Sequence, residues 1–307
     1  MRVAAIDVGS NSVKLAIGDV EGDHVHVVST DRITLQLGRD VELHGRLGNA
    51  VIDAVADAVG SLATQARMAG ARRIDVVGTS AAREASDGDR LVAAVGAAAG
   101  VPMRRLSGLD EAHLVSRSID IAVGIPLRSA IMLDIGGGST ELVHTDGGLV
   151  VDQVSLPIGA VRLTDRLELR GEEPFDDNAK ERLRGAIDEA INDVGSVESG
   201  SRGFGCGGTV TSLARLHLFG MPPSEGRASA VDRALLSRDG VDELLDGLAS
   251  KSLAHRMACT GLKAKRAQII PAGAAILAGL LHRLDVENLQ VHEQGIRTGL
   301  LFDLAQR

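Results

Sequence analysis

Tryptophan and tyrosine are absent from this 307-residue chain, and phenylalanine occurs only four times. Stacking of bases or sugars on aromatic rings is therefore not available as its main recognition device. Cysteine is almost as scarce. Cys206 and Cys259 stand alone and far apart, which excludes a disulfide framework or a four-cysteine zinc site and fits a reducing compartment. No segment approaches the roughly 20 apolar residues a membrane helix needs, and the longest apolar stretch, Ile269 to Leu281, is interrupted by Pro271. Basic charge is in deficit, 33 residues against 41 acidic ones for a net charge of −8. That balance lacks the footprint of a nucleic-acid binder. The opening Met1-Arg2-Val3-Ala4-Ala5-Ile6-Asp7 has no signal-peptide apolar core. The expectation is a cytoplasmic protein whose partners are neither nucleic acid nor membrane.

What is present is an ordinary globular balance, 44% hydrophobic and 24% charged, in a chain long enough for two domains. Lysine occurs five times and arginine 28 times. The planar guanidinium suits bidentate contacts to phosphate or carboxylate, although a coding bias that also enriches Ala and Gly accounts for much of the skew.

The apolar pattern is organised twice over. Val3 to Val8, Val13 to Asp19 and His24 to Ser29 read as strands separated by turns. Ala50 to Ala71 has helical spacing, Arg73 to Gly78 reads as a buried strand, and Asp89 to Ala99 as a helix. A strand at Met103 to Leu106 and a helix at Asp110 to Ile121 complete the first pass. The order restarts with strands at Ser129 to Ile135, Ser139 to His144 and Leu149 to Ser155. Helices at Ala179 to Val194 and Val210 to Leu218 follow, around a strand at Gly203 to Cys206. The expected domains are 1–125 and 126–307, divided near Val123 to Arg128. A loop is expected at Glu225 to Ala228, and the remainder reads as mostly helical, with a C-terminal helical segment that packs back on the first domain.

Two loops carry the chemistry. Asp7-Val8-Gly9-Ser10-Asn11-Ser12 and Asp134-Ile135-Gly136-Gly137-Gly138-Ser139-Thr140 each place an aspartate at a strand end, followed by small residues whose backbone amides can approach an anion. A third turn, Gly205-Cys206-Gly207-Gly208-Thr209, runs into a helix whose positive N-terminus suits phosphate. Taken singly, each is also readable as a plain turn. Their recurrence in matching strand contexts favours a paired grip on a phosphate chain.

With these loops and repeated halves the chain resembles the actin-like ATPase superfamily, and within it the exopolyphosphatase and guanosine pentaphosphate phosphohydrolase family. The likeness rests on Ala5 to Ser12, Gly78-Thr79-Ser80-Ala81-Ala82-Arg83-Glu84-Ala85, Leu106-Ser107-Gly108-Leu109-Asp110-Glu111-Ala112 and Asp134 through Leu142. It continues in Gly207 to Thr211, Ile269-Ile270-Pro271-Ala272-Gly273 and Gly295 to Leu301. The resemblance implies an α/β fold of two actin-like (ribonuclease H-like) domains with an interdomain cleft, in the short two-domain form. It implies hydrolysis of the terminal phosphoanhydride of inorganic polyphosphate, or of guanosine pentaphosphate in a stringent-response role, and a homodimer.

Residue roles follow from the motif positions. Glu111 is the expected general base, the second acidic residue of its motif; Asp110 stands where the family usually has Glu. Arg83 would clamp phosphate oxygens. Gly9, Ser10, Asn11, Ser12 and Ser80 would contact phosphate in the first half, and Gly136, Gly137, Gly138, Ser139, Gly208 and Thr209 in the second. Asp134, with Asp7 and Glu141, would hold Mg²⁺, which favours one or two carboxylates plus phosphate oxygens. Basic residues Arg256, Lys263, Lys265 and Arg266 either line a polyanion channel or are solvated helix-end charges. Cys206 reads as a small buried residue rather than a nucleophile. Leu37 to Asn49 departs from the family's glycine pattern. An actin-like phosphotransferase and a non-catalytic sensor are the competing classes.

Overall fold

The structure, a computed structural model, describes residues 1–123, 129–147, 149–195, 197, 201–219, 231–293 and 295–307. The division expected at Val123 to Arg128 falls almost wholly outside these residues, as does the loop expected at Glu225 to Ala228. The chain forms two compact units, Met1–Gly124 with Gln294–Arg307, and Ile125–Glu293.

The first unit starts with β1 (Arg2–Val8), β2 (Ser12–Glu21) and β3 (His24–Thr34), then α1 (Leu37–His44) and α2 (Asn49–Met68). It continues through β4 (Arg73–Gly78), α3 (Ser80–Glu84), α4 (Gly88–Ala99), β5 (Met103–Arg105) and α5 (Gly108–Val123). Its sheet runs β3-β2-β1-β4-β5, antiparallel across β1–β2–β3 and parallel from β1 through β4 to β5. The central strand β1 is covered on both faces, which is why it reads as a nearly unbroken apolar run. Ala4, Ile6 and Val8 share one core with Ile52, Val55, Val59 and Leu62 of α2 and with Leu91 and Val95 of α4. The three-and-four spacing in α2 makes that face, and each such side chain contributes roughly 1.5–3 kcal/mol by leaving water.

The second unit repeats the opening with β6 (Ser129–Ile135), β7 (Thr140–Asp146), β8 (Leu149–Leu156) and α6 (Ala160–Arg166). There follow α7 (Asp177–Ile191), β9 (Arg202–Cys206), α8 (Gly207–Phe219), β10 (Leu235–Ser237), α9 (Arg238–Ala249), α10 (Leu253–Met257), α11 (Ile270–Arg283) and β11 (Asn288–Val291). The sheet order is β10-β11-β9-β6-β7-β8. The strand triplet, its register and the parallel neighbour of its first strand match those of the first unit. Ile131, Leu133 and Ile135 pack with Val210 and Leu213 of α8 and with the almost wholly buried α11. The region expected to be helical thus also holds β10 and β11, strands of three and four residues that are too short to show a period of two.

The last helix, α12 (Ile296–Gln306), packs on the first domain as expected of the C-terminal helical segment, and it belongs to the first unit rather than to the 126–307 domain in which the expected boundaries put it. Gly299 lies against α5, where an added Cβ would stand 2.6 Å from the Leu114 carbonyl oxygen. Arg297 donates to the Leu15 carbonyl at 3.1 Å and Arg73 to that of Leu304 at 3.3 Å.

Candidate active site

In the first unit the chemistry-bearing segments leave the carboxyl ends of the parallel strands, where open α/β sheets place ligands. The loop Gly9–Ser12 follows β1, Thr79 and α3 follow β4, and the turn into α5 follows β5. These exits are stitched together: the Thr79 amide donates to Val8 at 3.2 Å and the Leu106 amide to Gly78 at 2.9 Å.

Glu111 lies in the first turn of α5 and is only 5% exposed. Its position follows from a capping box. The Ser107 amide and hydroxyl both donate to Asp110 Oδ2, at 2.9 and 2.7 Å, and the Asp110 amide returns a bond to Ser107 Oγ at 3.1 Å. The Ser107 hydroxyl and amide hold the Asp110 carboxyl below the usual carboxylate range. Arg83, on α3, pairs through Nη1 with Glu111 Oε1 and also donates to the Leu106 carbonyl at 2.7 Å. Arg83 therefore ties the short helix α3 to the turn that opens α5.

Asp7 is 2% exposed; Oδ2 accepts from Lys14 at 3.2 Å, and Oδ1 has no hydrogen-bond partner among the described residues. An added Cβ on Gly9 would stand 3.6 Å from that oxygen and 3.9 Å from Thr79 Oγ1, so glycine keeps space open beside the carboxylate. Asn11 Oδ1 is likewise buried and unpartnered. The hydroxyls of Ser12 and Ser80 are directed elsewhere, to Thr34 Oγ1 at 3.4 Å and to Glu84 Oε1 at 2.8 Å. Ser10 is buried.

In the second unit the same register gives a different pair. Asp7 stands opposite Lys14 across β1–β2, whereas Asp134 stands opposite Glu141 across β6–β7. Directly opposed residues share a sheet face, so the first unit sets a carboxylate beside an ammonium and the second sets two carboxylates side by side. Glu141 is buried and accepts from Ser155 at 2.9 Å. Asp134 Oδ1 lies tight against Gly207, whose φ of +85° and lack of Cβ allow the approach. Two adjacent carboxylates at a strand end form a donor set that fits a hard divalent cation. Among the described residues no group of three or more His, Cys, Asp or Glu forms a metal cluster.

The loop Gly136–Ser139 closes with the Gly136 amide donating to Ser139 at 3.0 Å. Its carbonyls are held from outside. Ala160 donates to Gly136 at 3.0 Å, Val161 and Arg162 donate to Gly137 at 2.9 and 3.0 Å, and Arg162 Nε donates to Gly138 at 2.7 Å. Gly159 permits this packing, since a Cβ there would overlap the Gly137–Gly138 peptide. The third turn differs from expectation in that Gly207 and Gly208 already belong to α8. Thr209 is buried with its side chain against α11, a Cβ on Gly273 falling 2.5 Å from its Cγ2. Gly208 lies directly beneath the Arg266 guanidinium, which a Cβ at 208 would overlap. Arg266 thus stands beside the third turn, and Arg162 of α6, which the sequence reading did not single out, stands beside the second loop.

The basic stretch does not form one face. Arg266 lies against Gly208 and Lys263 and Lys265 are exposed, while Arg256 is fully buried with its guanidinium 5.3 Å from the Phe175 ring. Cys206 is fully buried at the end of β9.

An exopolyphosphatase 1 of Mycobacterium leprae is 28% identical over 304 residues, covering 98% of this chain and 88% of that protein. An exopolyphosphatase 2 of Mycobacterium tuberculosis is 29% identical over 320 residues, covering 99% and 98%. The crystal structure of an exopolyphosphatase from Cytophaga hutchinsonii superposes with a TM-score of 0.87 at 22% identity, covering 100% of this chain and 98% of that one. The fold is that of the actin-like two-domain proteins. A family model described as the Ppx/GppA phosphatase family matches residues 16–307, and the chain belongs to that family.

Proposed function

We propose that this chain is an exopolyphosphatase, releasing orthophosphate from the ends of inorganic polyphosphate. The observation that carries the reading is Glu111: a buried carboxylate fixed by a capping box and by Arg83 at the carboxyl end of the first unit's parallel strands. In this reading Glu111 accepts a proton from the attacking water. Arg83 holds the carboxylate in place and offers its remaining donors to phosphate oxygens. The amides of Gly137, Gly138 and Ser139 bind non-bridging oxygens, with Arg266 beside the α8 N-terminus adding positive charge. Asp134 and Glu141 would hold Mg²⁺, which supplies neutralisation of phosphate negative charge. Asp7, tied to Lys14, serves the first loop.

Phosphate release from long-chain polyphosphate and from guanosine pentaphosphate, with Mg²⁺ or EDTA, tests the proposal on the wild type and Glu111→Gln. The expected result is metal-dependent release from polyphosphate that falls by about 10²–10⁴ in the variant. Release from the nucleotide alone would move the assignment to that substrate. Silence on both with polyphosphate binding retained would leave a sensor.

A further inference from the structure

The loop Gly136–Ser139 is held by its carbonyls, and this determines where its amides point. In a trans peptide the C=O and the following N–H point in opposite directions. With the Gly136 and Gly137 carbonyls taken by the backbone of Ala160, Val161 and Arg162, the amides of Gly137 and Gly138 are turned away from α6. The last plane, Gly138–Ser139, is held differently: its carbonyl accepts from the Arg162 side chain, Nε to O, at 2.7 Å.

The first unit provides the contrast. There the Ser10 carbonyl accepts from the Gly38 amide at 2.7 Å, and that of Asn11 from the Leu35 and Gln36 amides at 3.2 and 3.0 Å. Backbone alone fixes those two planes, with Gln36 in the left-handed region at φ 57°. In both units the segment after the third strand clasps the loop after the first, but among the described residues the Gly138–Ser139 plane alone is held by a side chain that substitution can remove.

We propose that Arg162 is a positioning residue for phosphate binding: by holding the Gly138 carbonyl it aims the Ser139 amide at the substrate oxygens. The inference rests on the phosphate-binding role proposed above for this loop. Through its bond to the Gly138 carbonyl Arg162 acts on the peptide, orienting the Ser139 amide. Displacement of an aligned group by about 1 Å costs on the order of a hundredfold in rate.

The test uses the full chain with Arg162→Met and Arg162→Lys, read by steady-state phosphate release from polyphosphate, by amide hydrogen exchange across Gly136–Thr140 and by thermal melting. For Arg162→Met the expected result is a fall in kcat/KM on the order of a hundredfold. Most of that fall appears in KM, exchange is faster only around this loop, and the melting temperature stays close to wild type. Added methylguanidinium at millimolar concentration, or the Lys variant, restores part of the loss. Wild-type KM and unchanged exchange in Arg162→Met would overturn the proposal, as would faster exchange throughout the second unit with a lowered melting temperature. If the wild type itself releases no phosphate, the functional reading fails instead. The exchange pattern then still decides whether Arg162 orders the loop.

Discussion

Arg83 Nη1 serves two acceptors at once, the carboxylate of Glu111 and the carbonyl of Leu106, so that one guanidinium ties α3 to the turn from which α5 begins. Glu111 is buried, and removing its cation leaves a carboxylate without its guanidinium partner. Breaking such a pair from one side destabilises by about 3–5 kcal/mol, whereas removing both partners costs much less. Arg83→Met is therefore expected to lose stability in denaturant melts, and Arg83→Met/Glu111→Gln to recover most of it. A double variant as unstable as the single one would show that the pair is not the cause.

Gly208 and Arg266 give a second, steric prediction. Alanine at 208 must displace the guanidinium. Gly208→Ala and Arg266→Ala are each expected to raise KM for polyphosphate by roughly tenfold, the loss of one charge-assisted contact. Because the two share one effect, their double variant should be no worse than either single one. Additive losses in steady-state kinetics would separate them.

The opposed pairs Asp7–Lys14 and Asp134–Glu141 predict which unit answers to a divalent cation. Mg²⁺ is expected to raise the melting temperature of the wild type and of Asp7→Asn, and to leave Asp134→Asn unmoved. An ion that binds only the folded state stabilises it by mass action. An Mg²⁺ response lost in Asp7→Asn and kept in Asp134→Asn would reverse the assignment.

His292, just past β11, gives a pH dependence. Its ring is 2% exposed and 5.8 Å from the Phe204 ring, neither nitrogen has a hydrogen-bond partner among the described residues, and Asp232 Oδ1 stands 3.7 Å from Nδ1. Burial pushes its pKa below the ordinary 6.5; Asp232 opposes the shift and Arg233 adds to it. The unfolded chain then binds the proton more readily than the folded one, so stability rises with pH through this window. It is complete above about 6.5 and declines as the pH falls below that value. Urea midpoints of the wild type should drop between pH 7 and pH 5, and those of His292→Leu should drop less. Parallel profiles would refute the assignment.

The duplicated strand order and the two aspartate–glycine loops were legible because a strand buried on both faces leaves a continuous apolar run, and because Gly9 and Gly136 sit where a tight turn must be. The place of Glu111 at the start of a helix was legible from its motif. The helices α1, α3 and α6 were not, each being eight residues or fewer, too short for a hydrophobic period to accumulate. With α6 went Arg162, although Gly159, set where a chain must pass close to another backbone, was its available signal. Arg256 and Arg266 looked alike as neighbours in a basic stretch. Only packing, one against Phe175 and the other against Gly208, tells them apart. Lys14 carried no sign of its role, because strand register decides what it faces.

The placement of α12 has a consequence for synthesis. Its residues are read by the ribosome after the whole of the second unit, yet they complete the first unit's packing against α5 and β2. During translation the second unit's segment emerges as an uninterrupted stretch and can close its core first, following the tendency of domains to fold as units. The first unit, although β1 to β3 emerge before the second unit, waits for the residues of α12.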